Sequence, residues 1–176
     1  VIDVRRLLEH DNSRPPTSIL PIGMNSEEAL ARLAEDGVEA SLAAEWSPCL
    51  RLADTSSVAS ALRALPISIV QDPASNLVAR YADVSSGTIV ADLCAAPGGK
   101  ALALSDRAAR VIALDRSESR MRMVKDNAHR TERPLELVVA DANSLPLVAA
   151  DVVMVDAPCT GTGTLARHPD ARWRLK

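Results

Sequence analysis

Three aspartates each close a short apolar run, at Leu114-Asp115, Ala140-Asp141 and Val155-Asp156, while another run opens into Asp92-Leu93-Cys94-Ala95-Ala96-Pro97-Gly98-Gly99-Lys100. A single aspartate in such a place caps a helix or starts a turn. Three in register point to one shared pocket, because open parallel sheets bind ligands in the crevice beyond the carboxyl ends of their strands. Asp115 follows Gly98 by 17 residues. This is close to the roughly 20-residue offset at which an acidic side chain accepts hydrogen bonds from ribose hydroxyls. Asp141 can accept from an adenine amino group. Gly98 and Gly99 let the backbone come near a ligand where a Cβ would obstruct it.

The same loop argues against phosphate ligands. It reads APGGK and lacks the GxGxxG turn that seats a pyrophosphate. It also lacks the upstream glycine of a P-loop, and Ala101 stands where that motif has Ser or Thr. S-adenosylmethionine, which carries ribose and adenine without phosphate, fits what remains. Beyond the last apolar run, Asp156-Ala157-Pro158-Cys159-Thr160-Gly161 places a thiol where enzymes acting on exocyclic amines commonly carry an aromatic. Carbon 5 of cytosine is a poor nucleophile until a thiolate adds to carbon 6, so a cysteine there suggests carbon methylation. A free thiol with a pKa of about 8.5 needs activation by its surroundings. Cys94, between Leu93 and Ala95, is expected to pack its side chain and offer its backbone. Cys49 is expected to pack or to lie on the surface.

The elements that position these residues alternate. Thr88 to Leu93, Val111 to Leu114, Leu135 to Ala140 and Val152 to Val155 are near-continuous apolar segments, as in parallel strands covered on both faces. Ser117 caps a helix between them whose Met121, Val124 and Ala128 face inward. This is the rhythm of a doubly wound α/β sheet. Upstream, Asp72-Pro73 starts a helix well, with Leu77, Val78 and Tyr81 as its expected buried stripe. Residues 17–24 read as a strand in which Pro21 suggests an edge or a bulge. Asn25, with Glu28 three residues on, opens a helix that Gly37 stops. Val38 to Ala43 and the alternation of Leu50 and Leu52 read as further strands. The expected organisation is a small α+β subdomain over 1–53, a linker over 54–71 and an α/β domain over 72–176.

Composition narrows the class. The 176 residues are 47% hydrophobic with a net charge of −3, enough for one ordinary core. No stretch reaches the roughly 18 apolar residues of a membrane span, and the N-terminus lacks signal-peptide regions, so a soluble cytoplasmic protein is expected. Three separated cysteines without CxxC spacing suggest neither disulfides nor a metal site. Lys and Arg cluster at Arg116 to Arg133 and at Arg167, His168, Arg172, Arg174 and Lys176. The plain reading of each is a solvated face. With no Phe, one Tyr and two Trp, little is available for base stacking.

Taken together, VQDPAS (70–75), DLCAAPGGK (92–100), ALDRSESR (113–120), VVADA (138–142) and DAPCTGTGTLARHPDARW (156–173) closely resemble the bacterial Sun/Fmu (RsmB-like) family of RNA 5-methylcytosine methyltransferases. RPPTSILPIGMNSEEALARLAEDGVEA (14–40) resembles the small RNA-binding subdomain that precedes the catalytic sheet in that family. The resemblance implies a Rossmann-like class I S-adenosylmethionine-dependent methyltransferase sheet, of which the first four strands are present. It implies that Cys94, Ala95, Ala96, Pro97, Gly98, Gly99 and Lys100 line the cofactor's methionine end, that Asp115 binds ribose and that Asp141 binds adenine. Asp156 would sit beside both cofactor and target cytosine. Cys159 matches the family's first conserved cysteine, which helps release the product by assisting proton removal from carbon 5. Arg120 matches an arginine of the family's second motif, with its role open. The implied partner is RNA, 16S ribosomal RNA foremost, with a monomeric protein and no metal or membrane.

The family's attacking nucleophile is a second cysteine, in a Thr-Cys motif after the next strand, and no Thr-Cys pair occurs in these residues. A C-terminally truncated fragment, inactive alone, is therefore expected. Its sheet should have an unpaired edge and exposed apolar surface. A noncatalytic cofactor- or RNA-binding remnant is the alternative, and a nicotinamide-dependent oxidoreductase on a similar sheet is a third reading, disfavoured by the missing GxGxxG.

Overall fold

The structure is a computed structural model that describes residues 3–161, 166, 167, 170 and 173. The chain divides into two compact units, one of residues 17–156 and a smaller one of residues 1–16 and 157–176. In the smaller unit Asp3 opens helix α1 (Val4–Asn12) by accepting from the backbone N–H of Arg5 and Arg6, and Arg5 pairs with Glu9 one turn on.

The larger unit holds two sheets. The first is antiparallel, in the order β2 (Ala40–Ala44), β3 (Ser47–Leu52), β1 (Ser18–Pro21), β4 (Ser68–Val70). Helix α2 (Ser26–Glu35) is capped by Asn25, whose side chain accepts from the Glu28 N–H at 2.8 Å. It lays Ala29 and Leu33 against Ile19, Leu50 and Leu52. Pro21 is not on an edge strand, because β1 lies between β3 and β4. It is the last residue of β1, past the residues that β3 pairs, where a missing N–H breaks no bond to β3. Residues 54–71, expected as a linker, are instead structured. A 3-10 turn (Thr55–Ser57) capped by Asp54 leads into helix α3 (Val58–Ala64) and then β4, which pairs with β1. α3 is short and anchors itself through Ala61 and the following Leu65; the spacing of Val58, Leu62 and Leu65 is helical, but the small polar Ser56, Ser57 and Ser60 weaken that signal in the sequence.

The second sheet is parallel, in the order β7 (Glu136–Val139), β6 (Arg110–Asp115), β5 (Ile89–Asp92), β8 (Val152–Met154). The strand order reverses between β5 and β8, which is the topological switch of a doubly wound Rossmann-like fold. Helices α4 (Pro73–Tyr81), α5 (Gly99–Ser105) and α6 (Glu118–Arg130) supply Ala79, Ala101, Leu104, Met121 and Val124 to a core with Val90, Val111 and Ala113. β5 and β6 are covered as expected, but β7 and β8 leave Val139 and Val153 exposed.

α4 starts as expected, with Asp72 accepting from the Ala74 N–H at 2.8 Å and Pro73 in the first turn. Its buried face is not the expected one. Asn76 and Ala79 are buried, whereas Leu77, Val78 and Tyr81 are exposed. The fold buries the face at 76 and 79, where Asn76 bonds Gln71 and Ala79 joins the core. Arg130, from the end of α6, ties the two sheets together by donating to the carbonyls of Pro66 at 2.9 Å and Ser68 at 2.6 Å. Among the described residues no helix is long and apolar enough to cross a membrane, and no cluster of His, Cys, Asp and Glu could hold a metal ion.

Candidate functional site

The loop that leaves β5 is stitched to the strands on either side. Leu93 N donates to Met154 O beyond β8's last residue pair, and Ala95 N donates to Leu114 O on β6, each at 2.9 Å. Its next turn is held by two side chains that meet at Ala96. Asp115, at the end of β6, accepts from Ala96 N at 3.3 Å and from Ser117 N at 3.0 Å. Arg120, in the first turn of α6, lies 3.5 Å from the same carboxylate and donates to Ala96 O at 2.6 Å. Asn127, two turns further on, donates to Pro97 O at 3.0 Å. The backbone of 95–97 is therefore fixed in direction before any ligand arrives.

The two glycines have a reason within the fold itself. Gly98 is left-handed, with φ +105°, and a Cβ there would lie 3.2 Å from Val124 Cγ1 of α6. A Cβ on Gly99 would lie 3.2 Å from Gln71 Nε2. Protein atoms occupy the ground that a larger residue would need.

Carboxylates outnumber cations along this edge. Asp92 ends β5 and is 1% exposed. Burial pushes its carboxyl up to about 6, against the Cys94 N–H that it accepts at 3.3 Å and the charge of Lys100, while Asp156 and Asp115 push it higher. Lys100, in the first turn of α5, reaches Asp156 Oδ2 at 2.6 Å. Desolvation first, then Asp115, Asp92 and Asp156, raises the Cys94 thiol, so the site disfavours a thiolate there. Asp141 follows β7 and is exposed. It accepts from Asn143 N and Nδ2, both at 2.8 Å, and these bonds hold its carboxyl below the usual range. Arg116 adds a smaller effect of the same sign.

Bonds thus join Cys94 to Lys100 with Asp92, Asp115 and Asp156, whereas the side chain of Asp141 is bonded within its own turn. Cys159 belongs to the smaller unit. It is exposed, and its sulfur accepts from Gly161 N at 3.4 Å. Thr162 to Leu165 lie outside the described residues, as do His168, Arg172, Arg174 and Lys176 of the basic run. Of the other cluster, Arg122 pairs with Glu118 on the surface, while Arg130 and Arg133 are bonded within the fold. Sequence reasoning missed Asp92 as a strained carboxylate and Asn127 as a loop support, and left Arg120 without a role. Position after Ser117 was the available signal for Arg120, since residues three and ten on lie along one side of the helix.

Residues 81–176 match the family model described as 16S rRNA methyltransferase RsmB/F. The chain belongs to this RsmB/F family. It is 32% identical over 182 residues to the ribosomal RNA small subunit methyltransferase B of Pectobacterium atrosepticum, covering 96% of this chain and 42% of that protein. The corresponding protein of Pasteurella multocida is 34% identical over 185 residues, covering 96% and 41%. The crystal structure of PH0851 matches with a TM-score of 0.85 at 32% identity, over 96% of this chain and 41% of that one. The chain spans about two fifths of the length of the curated relatives it matches. In this RsmB/F chain the matched segment includes α5, α6 and all four strands of the parallel sheet.

Proposed function

We propose that this chain carries the cofactor site of an S-adenosylmethionine-dependent methyltransferase that acts on carbon 5 of a cytosine in RNA, with 16S ribosomal RNA as substrate. The observation that carries the reading is the donor set at the carboxyl edge of the parallel sheet. Asp92, Asp115, Asp141 and Asp156 outnumber the cations beside them, and Lys100 and Arg120 are each paired with a carboxylate. Such an edge repels a pyrophosphate and suits a ligand of hydroxyls, an amine and a positive sulfonium. The residues present therefore fit S-adenosylmethionine, which supplies an electrophilic methyl group when bound.

The chain's own residues then have separable tasks. Asp115, buried and held by two backbone N–H groups with Arg120 3.5 Å away, has lone pairs left to accept from ribose hydroxyls. The backbone of Cys94 to Lys100 lines the methionine end, and Asp141 accepts from adenine. Asp156, with Lys100 fixing its carboxylate, faces the target base. Cys159 assists removal of the carbon 5 proton. The α+β part over 1–53 serves RNA binding, the part from 72 onward catalysis, and the protein works as a cytoplasmic monomer.

Calorimetry with S-adenosylhomocysteine and with NAD tests the proposal. S-adenosylhomocysteine is expected to bind and NAD not to, and Asp115→Ala should weaken the former about tenfold or more. Equal binding of both ligands, or an unchanged affinity in Asp115→Ala, would remove the assignment.

A further inference from the structure

Gln71, between β4 and α4, and Asn76, on the buried face of α4, form an enclosed amide pair. They are 5% and 3% exposed, and Asn76 Nδ2 donates to Gln71 Oε1 at 3.2 Å. The other two polar atoms, Gln71 Nε2 and Asn76 Oδ1, are buried without a hydrogen-bond partner. Buried polar groups are nearly always partnered, and replacing such a pair by apolar groups of the same shape is often neutral or stabilising. The pair is thus a poor device for stability. What it touches suggests another use. Gln71 Nε2 lies 3.2 Å from where a Cβ of Gly99 would stand, so the flat amide rests against the residue at which the β5 loop becomes α5. On the α6 side the same loop is held by Asp115, Arg120 and Asn127. The amide pair closes the clamp from the α4 side.

We propose that Gln71 and Asn76 act together as a positioning pair for the Gly98–Gly99 backbone, and so for the part of the site that receives the amino-acid end of the cofactor. This rests on the cofactor reading above. Asn76 fixes the plane of the Gln71 amide, and the amide fixes how closely Gly99 approaches α4. Neither side chain need touch the ligand. The adenosine end is held elsewhere, at Asp115 and Asp141, so the pair should affect the two ends of the ligand differently.

The test compares S-adenosylhomocysteine with 5′-methylthioadenosine, which lacks the amino-acid end, on the parent chain, Gln71→Met, Asn76→Leu and the double variant, together with thermal unfolding. In each variant the affinity for S-adenosylhomocysteine is expected to fall about fivefold or more, while that for 5′-methylthioadenosine stays within about twofold. The melting temperature should hold or rise, and the double variant should be no weaker than the weaker single, as for two residues acting as one unit. Asn76→Leu removes the bond that fixes the plane of the Gln71 amide without altering Gln71 itself, so it carries the same expectation should Gln71→Met fail to fold. Parallel weakening of both ligands, or unchanged affinity for S-adenosylhomocysteine, would overturn the proposal. If the parent chain binds neither ligand, the cofactor reading falls first, and the positioning role with it.

Discussion

Asp92 illustrates how much a single side chain's surroundings decide. Its carboxyl, pushed up to about 6 from 3.8, is more readily protonated in the fold than in the unfolded chain. The native state therefore suffers no penalty from this group below about pH 3.8. It loses stability as the pH rises through 6, by roughly 3 kcal/mol once ionisation is complete. Asp92→Asn keeps an oxygen for the Cys94 N–H and is expected to raise the urea midpoint at pH 7.5. That advantage should shrink steadily between pH 6 and pH 4. An equal gain at both ends of that range would show that the buried charge is not its source. The residue types and spacing at this edge were legible in the chain, because strand-terminal aspartates and the APGGK turn are local patterns. The burial of Asp92 was not, since it depends on β5 lying between β6 and β8. The reason for Gly98 and Gly99 was equally hidden. Gln71 and Val124, distant in sequence, fill the space beside them.

At the scale of elements, capping chemistry was readable wherever it is local. Asn25, Asp72 and Ser117 each accept the N–H expected of an N-cap, and each helix begins where the sequence implies. Which face a helix buries was not readable for α4, because Leu77, Val78 and Tyr81 satisfy helical periodicity while the fold buries the narrower Asn76 and Ala79. Nor was β4 readable, since three residues become a strand only when β1 offers an edge. The junction between the β5 loop and α5 leaves little room for substitution. Gly98→Ala would place a side chain at φ +105° and 3.2 Å from Val124 Cγ1. A loss of about 2–4 kcal/mol is expected by urea denaturation. Combining it with Val124→Ala should not recover the loss, because Val124→Ala relieves the contact but not the dihedral angle and opens a cavity of its own. Full recovery in the double variant would mean that the left-handed conformation contributes nothing.

Across the whole molecule, the parallel sheet reverses its strand order between β5 and β8, and Asp92 ends the one strand while Asp156 follows the other. That coincidence of topology with charge makes the carboxyl edge the candidate site, and the RsmB/F family match covers the same segment. Hydrogen–deuterium exchange with and without saturating S-adenosylhomocysteine tests this most directly. Slower exchange is expected at residues 93–101, 115–118 and 140–144, with no change along β1, β2 and β3. Protection confined to the antiparallel sheet, or absent from the β5 loop while the ligand is bound, would contradict it.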